Sequence, residues 1–273
     1  MNLKEREMLE VLKRGKLEFG VVSIKAEFEA EGTRVDELLR LVELARKADL
    51  KLTLKIGGCE CIRDIIECKQ IGIDYLVAPM VETPYALSKF IDAKNKVYTL
   101  EEQKDIKFYI NLETITGYDN LSLMIGKAKN NLDGLVFGRH DFVNSIGQDG
   151  FKDIDTPPIT KYGCEIATAC KESNLEFIVG GGMCVESIEP VREIRSVHLT
   201  RYETRKVVFN EDAITFSNVE EALLNALNFE LLWLKNKCDY YNSISQEDKA
   251  RINKLESRWS EELSRWVTKN GTR

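Results

Sequence analysis

The sequence predicts an α/β fold, a (β/α)8 or TIM barrel followed by a C-terminal helical extension. Three observations carry that expectation. Short apolar runs alternate with longer stretches of helical periodicity along most of the chain. Two of those runs each end in a single acid, Glu113 and Asp141. Beyond residue 216 the pattern turns wholly helical.

Residues 19–28 (FGVVSIKAEF) read as the first strand. Thr33, with Asp36 three residues on, reads as the N-cap of a helix through Leu38, Leu41, Val42 and Leu44. Residues 50–56 (LKLTLKI) alternate apolar and polar and stop at Gly57-Gly58. A helix through Ile62, Ile65 and Ile66 follows. Residues 75–78 (YLVA) form a short buried-type strand, and Thr83-Pro84 opens the next helix with proline in its first position. Strands are expected at 108–112 and 135–137, with a helix over 117–128 between them. A helix over 159–170, a strand over 176–179 and a strand over 197–200 come next, and 206–209 is a candidate eighth strand. Strands alternating with helices make βαβ units and a parallel sheet. An open doubly wound sheet is the alternative architecture.

The expected division is a barrel domain over 1–216 and a helical hairpin over 217–273. Ser217 and Glu220 give a capping-box pattern, followed by a first apolar stripe from Leu223 to Tyr241. A second, from about Gln246, carries Ile252, Leu255, Trp259, Leu263 and Trp266. Such stripes suit packing on the barrel or contact with a neighbouring subunit, and a homo-oligomer is expected.

The chain has 273 residues with 43% hydrophobic and 31% charged, the balance of an ordered globular protein. Its net charge of −6 and the lack of a basic stripe argue against nucleic acid. No apolar run reaches membrane-spanning length, and the start, MNLKEREMLE, lacks the apolar region of a signal peptide. The seven cysteines are scattered, and with two histidines and no CxxC spacing a structural zinc site is not expected. Reduced thiols and a cytoplasmic protein are the expectation.

Two segments carry the chemistry. Residues 108–117 (FYINLETITG) deliver Glu113, and residues 132–147 (LDGLVFGRHDFVNSIG) deliver Asp141, each where a strand should stop. Carboxylates at the same ends of neighbouring parallel strands can share a small hard cation. Either acid alone fits a helix start or a loop cap equally well.

In order, the segments LTLKIGG, GIDYLVAPMVETPYAL, FYINLET and LDGLVFGRHDFVNSIG resemble the HpcH/HpaI aldolase and citrate-lyase β-subunit family. The resemblance runs from about Val21 to Thr200. It implies Mg2+ or Mn2+ held by Glu113 and Asp141, and a pyruvate-like 2-oxo acid bound through its carboxylate and keto oxygen. The ion acts there as a Lewis acid toward an enolate. Lys55 stands where many members carry an arginine; it supplies charge without a bidentate fork. Glu27 matches an acid that orders water or a base near the metal. Phe28 replaces the histidine that follows in aldolase-type members, which leaves His140 as a further proton-transfer candidate. Gly138, with the amides up to His140, is implied in binding the substrate carboxylate, and Arg139 adds a cation. Met80 is read as pocket wall. Gly180-Gly181-Gly182 reads as a turn or as an anion cradle. The stretch RYETRK has no counterpart in the family. It puts Arg201, Glu203 and Arg205 near the same rim, as a reader of an acidic or sugar-like co-substrate or as a solvated charge cluster.

The reaction expected is carbon–carbon bond making or breaking between a 2-oxo acid enolate and an aldehyde. The alternatives are a CoA-thioester lyase of the malyl or citramalyl kind, and a barrel that has lost catalysis and serves as a binding subunit.

Overall fold

Eight strands close a barrel in chain order in the computed structural model, which describes residues 1–271. They are β1 (Val21–Glu27), β2 (Lys51–Lys55), β3 (Tyr75–Ala78), β4 (Lys107–Leu112), β5 (Gly134–Gly138), β6 (Glu176–Gly180), β7 (Arg201–Glu203) and β8 (Val207–Asn210). Around them lie α1 (Leu3–Phe19), α2 (Val35–Lys47), α3 (Ile62–Ile71), α4 (Pro84–Val97), α5 (Ile115–Asp119), α6 (Leu121–Ala128), α7 (Arg139–Ser145), α8 (Pro157–Glu172), α9 (Ile188–Val197) and α10 (Val219–Asn270).

Alternation within each strand decides what faces where. Ile24, Leu54, Leu76, Ile110, Phe137 and Phe177 point outward into the shell of helices and form one continuous apolar core. The barrel interior has only a small apolar plug, Val77, Tyr109, Val136 and Ile178. Above and below that plug the lumen is polar. Gly134 marks where β5 and β6 come closest: a Cβ there would lie 2.2 Å from the Glu176 carbonyl oxygen. Gly134→Ala must therefore push backbone against backbone, with an expected loss of about 3 kcal/mol in urea unfolding.

The strands β1 to β7 are parallel, as expected, but β8 runs antiparallel to both β7 and β1. The link is too short for any other outcome. Only Thr204, Arg205 and Lys206 separate the two strands, and a parallel return needs a crossover of a dozen or more residues. The seventh strand also lies later than the 197–200 expected. Val197 is still in α9, and the strand begins at Arg201.

Several boundaries differ locally. A 17-residue helix, α1, precedes the first strand; its Asn2/Glu5 capping box starts it and Gly20, at φ 70°, stops it. Thr33 does not cap α2; Arg34 does, with its amide bound to the Glu37 carboxylate (3.1 Å). The expected 117–128 helix is two short ones, which meet at Asn120. Ser217 and Glu220 do not form a capping box: Asn218 precedes α10 and supplies no side-chain cap.

The largest departure is the C-terminus. The expected helical hairpin is one continuous helix of 52 residues. Residues 242–250 (NSISQEDKA) hold no glycine or proline, so nothing interrupts the hydrogen-bond ladder where the turn was expected. The first part of α10 lies antiparallel along α1, burying Ala222, Ala226, Phe229 and Trp233. Asn225 reaches the Val11 carbonyl (3.1 Å) and Asn236 accepts from Asn2 (2.7 Å). From Asn242 onward every described residue is exposed.

Candidate active site

Glu113 directly follows β4 and is buried, 3% exposed. Its Oε1 accepts the Met80 amide (2.8 Å) and its Oε2 accepts Asn111 Nδ2 (2.7 Å). Lys55 Nζ stands 3.6 Å from the same Oε2. Burial pushes the Glu113 carboxyl above its ordinary range. Lys55 and the two donors oppose that shift, and Asp141 adds to it. Asp141 lies in the first turn of α7, exposed at the same end of the barrel. Gly138, three residues before it, makes the approach possible: a Cβ there would sit 2.8 Å from Glu113 Oε2. Asp141 is near enough for its charge to act on Glu113.

The space around Glu113 fits a hard cation in its chemistry. Asn111 Oδ1 is buried beside Glu113 and has no hydrogen-bond partner, an orphaned acceptor that a cation or its hydration shell would satisfy. Among the described residues no three His, Cys, Asp or Glu side chains converge on one point. The donor set is thus two carboxylates and an amide oxygen, open toward substrate.

Around the acids the lumen holds a lattice of charge. Lys55 Nζ also pairs with Glu29 Oε2 (2.7 Å). Burial pulls the Lys55 ammonium down, but Glu113, Glu29 and Glu27 outweigh it and its pKa is raised. Lys25 binds Glu203 and stands 3.2 Å from Glu27 Oε1. Burial would raise the Glu27 pKa, yet Lys25 and Lys55 together hold it below the ordinary carboxylate range. Sequence reasoning names Glu203 at this rim but misses Lys25, Glu29 and Asn111 as site residues. The parity of the strands could have found two of them: Lys25 stands two residues from Glu27 and Asn111 two from Glu113.

Met80 contributes its backbone to the site. The residue is 49% exposed, and its φ of 51° turns the amide toward Glu113. Gly181, at φ 80°, lies over the start of α7; a Cβ there would be 2.7 Å from the His140 nitrogen and 2.9 Å from that of Arg139. Lacking a side chain, it packs closely against those two amides.

Three predicted residues sit elsewhere. Arg139 is 1% exposed and cannot face substrate. Its guanidinium binds Asp155 (2.6 Å) and the carbonyls of Gly180 (3.3 Å) and Gly181 (3.1 Å), fastening α7 to the loop after β6. Arg201 opens β7 and so lies at the opposite mouth, where it binds Tyr109 Oη (2.6 Å) and Glu176 (2.7 Å) and stacks over Tyr75. One turn of pleat separates it from Glu203, which does reach the acid end. His140 turns away: Nδ1 contacts the Gly150 carbonyl (3.1 Å) and the ring meets Phe151 edge-on. In the rest of RYETRK, Arg205 and the buried Lys206 both grip Glu31, so the stretch closes the barrel seam and is not a solvated cluster.

A model of the HpcH/HpaI aldolase/citrate lyase family matches residues 22–189, well over half of the chain. The chain belongs to the HpcH/HpaI aldolase/citrate lyase family. The match covers both acid-bearing strand ends and most of the barrel. Solved structures agree in fold. An HpcH/HpaI aldolase from Desulfitobacterium hafniense DCB-2 is 12% identical with a TM-score of 0.57, over 72% of this chain and 82% of that one. An HpcH/HpaI aldolase/citrate lyase family protein from Burkholderia cenocepacia J2315 is also 12% identical, with a TM-score of 0.59 over 83% and 92%. A variant of the citrate synthase SbnG is 14% identical, with a TM-score of 0.52 over 81% and 89%. No curated protein matches by sequence. Family membership supports a lyase-type reaction on small molecules. Among the described residues no helix is long and apolar enough to cross a membrane.

Proposed function

We propose that this family member is a divalent-metal-dependent carbon–carbon lyase of the aldolase type, acting between pyruvate, or a related 2-oxo acid, and an aldehyde. The observation that carries it is the buried Glu113, near Asp141 and an orphaned amide oxygen at the C-terminal mouth of the barrel. Glu113, Asp141 and Asn111 would hold Mg2+ or Mn2+. When bound, the ion supplies Lewis acidity that lowers the energy of the enolate.

The chain's own groups do the rest. The amides of Arg139 and His140, at the start of α7, suit the substrate carboxylate. Lys55, kept charged by its three acids, offsets negative charge growing on the keto oxygen. Glu27, kept ionised by Lys25 and Lys55, takes the proton role in preference to His140, whose ring is engaged by Gly150 and Phe151. The polar lumen keeps these charges fixed in a place partly shielded from water.

The test is solvent-deuterium exchange into the pyruvate methyl group, which needs no knowledge of the aldehyde. Exchange is expected with Mg2+ or Mn2+ and is expected to stop on chelation. A metal-loaded protein that exchanges nothing would refute the reading.

A further inference from the structure

The stretch of α10 that leaves the barrel carries an unpartnered apolar face. Ile252, Leu255, Trp259, Leu263 and Trp266 are all exposed on a helix that touches nothing else in its own subunit. The barrel-packed half carries a second such stripe. Leu224, Leu227, Leu231 and Leu234 are 47–63% exposed, on the side of α10 opposite Ala222, Ala226, Phe229 and Trp233. Leu224, Leu227, Leu231, Leu234, Cys238 and Tyr241 step by three and four residues, the seam of a coiled coil, and Ile252, Leu255 and Trp259 resume it in the same register. Between Tyr241 and Ile252 only Ser245 and Asp248 interrupt it, and Glu262 stands between Trp259 and Trp266.

We propose that α10 pairs with α10 of a second copy of this chain as an antiparallel coiled coil centred between Ser245 and Asp248. The two stripes are then of matching length on either side of a polar centre. Tyr241 of one copy meets Ile252 of the other, Cys238 meets Leu255, Leu234 meets Trp259 and Leu227 meets Trp266. Ser245 meets Asp248, a hydroxyl beside a carboxylate. Leu231 meets Glu262 and Leu224 meets Lys269, the two mismatches, and Leu263 lies one residue on to cover the first. The flanks agree in charge: Lys235 falls beside Glu256 of the other copy and Glu230 beside Arg265. Lys237 falls beside Arg258, but Glu37 of its own chain already neutralises it (3.1 Å). A parallel pairing would instead set Asp248 against Asp248 and Glu262 against Glu262, which is destabilising. The barrels sit on the outer faces of the two helices and reach the seam only at Tyr241, whose hydroxyl holds Glu37. A helix of 52 residues is ~78 Å long, enough for each free half to lie along the packed half of the other.

Sedimentation of the full chain is expected to show a dimer. The Leu255→Lys/Trp259→Lys chain, altered only where side chains touch nothing in their own subunit, is expected to be a monomer with unchanged circular dichroism. In a Cys184→Ser background, Leu255→Cys under mild oxidation is expected to give a disulfide-linked dimer through Cys238, lost again with Cys238→Ser. A monomeric full-length chain overturns the proposal, as does a dimer that survives the double lysine change. Cross-linking through Cys238 without the change at 255 overturns it by showing parallel pairing. A disulfide within one chain overturns it by showing a folded-back hairpin.

Discussion

Glu113→Ala is expected to lower metal-dependent deuterium exchange into pyruvate by at least ~10³-fold, about 4 kcal/mol of lost transition-state stabilisation. The reason is in the contacts of this carboxylate. It is the one acid that the Met80 amide, Asn111 and Lys55 all converge on, so its removal takes away a metal ligand and the anchor of the orphaned Asn111 oxygen together. Asp141→Ala is expected to act through the metal alone, since Asp141 is exposed. Elemental analysis separates the two effects from misfolding. Each variant should lose bound Mg2+ or Mn2+ while its thermal unfolding stays cooperative. Unchanged metal content and exchange in both variants would mean that these acids are not the ligands.

Asp155→Ala is expected to cost about 3–5 kcal/mol in urea unfolding, the largest stability effect foreseen for one side chain here. Arg139 is 1% exposed and its charge has one acidic partner, Asp155 at 2.6 Å. Without it the guanidinium keeps only two carbonyls, the Ser187 hydroxyl and the Met183 sulfur. Arg139→Met is expected to be milder: the charge leaves, the volume stays, and the Asp155 carboxylate, 15% exposed, reaches water. Because Arg139 fastens the start of α7, the same change should also weaken substrate binding by loosening the amides of Arg139 and His140.

Much of this molecule is legible in its sequence because strands announce themselves by alternation. Tyr75–Ala78, Lys107–Leu112, Gly134–Gly138 and Glu176–Gly180 lie within a residue or two of the runs that predict them. Glu113 lies in a motif with a fixed place at a strand end, and so does Asp141. What the sequence hides is long-range. Arg139 and Arg201 are arginines in plausible motifs. Only the fold reveals that one is paired beneath α7 and the other at the far mouth, because partners such as Asp155 and Tyr109 are set by packing rather than by spacing. The hairpin at the C-terminus fails for a different reason. Two apolar stripes separated by a polar stretch describe a turn and an uninterrupted helix equally well, and the absence of a breaker in 242–250 is the signal that decides it.

The reversed eighth strand decides where the chain goes next. Asn210, its last residue, binds the Gly20 carbonyl (3.0 Å) on the floor of the barrel, so the polypeptide exits underneath. It must then climb the outer wall beside α1 and clears the rim only near Tyr241, where that phenol holds Glu37 (2.5 Å). At the eighth position the rim has a tight turn clasped to Glu31 in place of a loop that could arch over the opening. On that side the three residues between β7 and β8 are too few to form a lid over the opening.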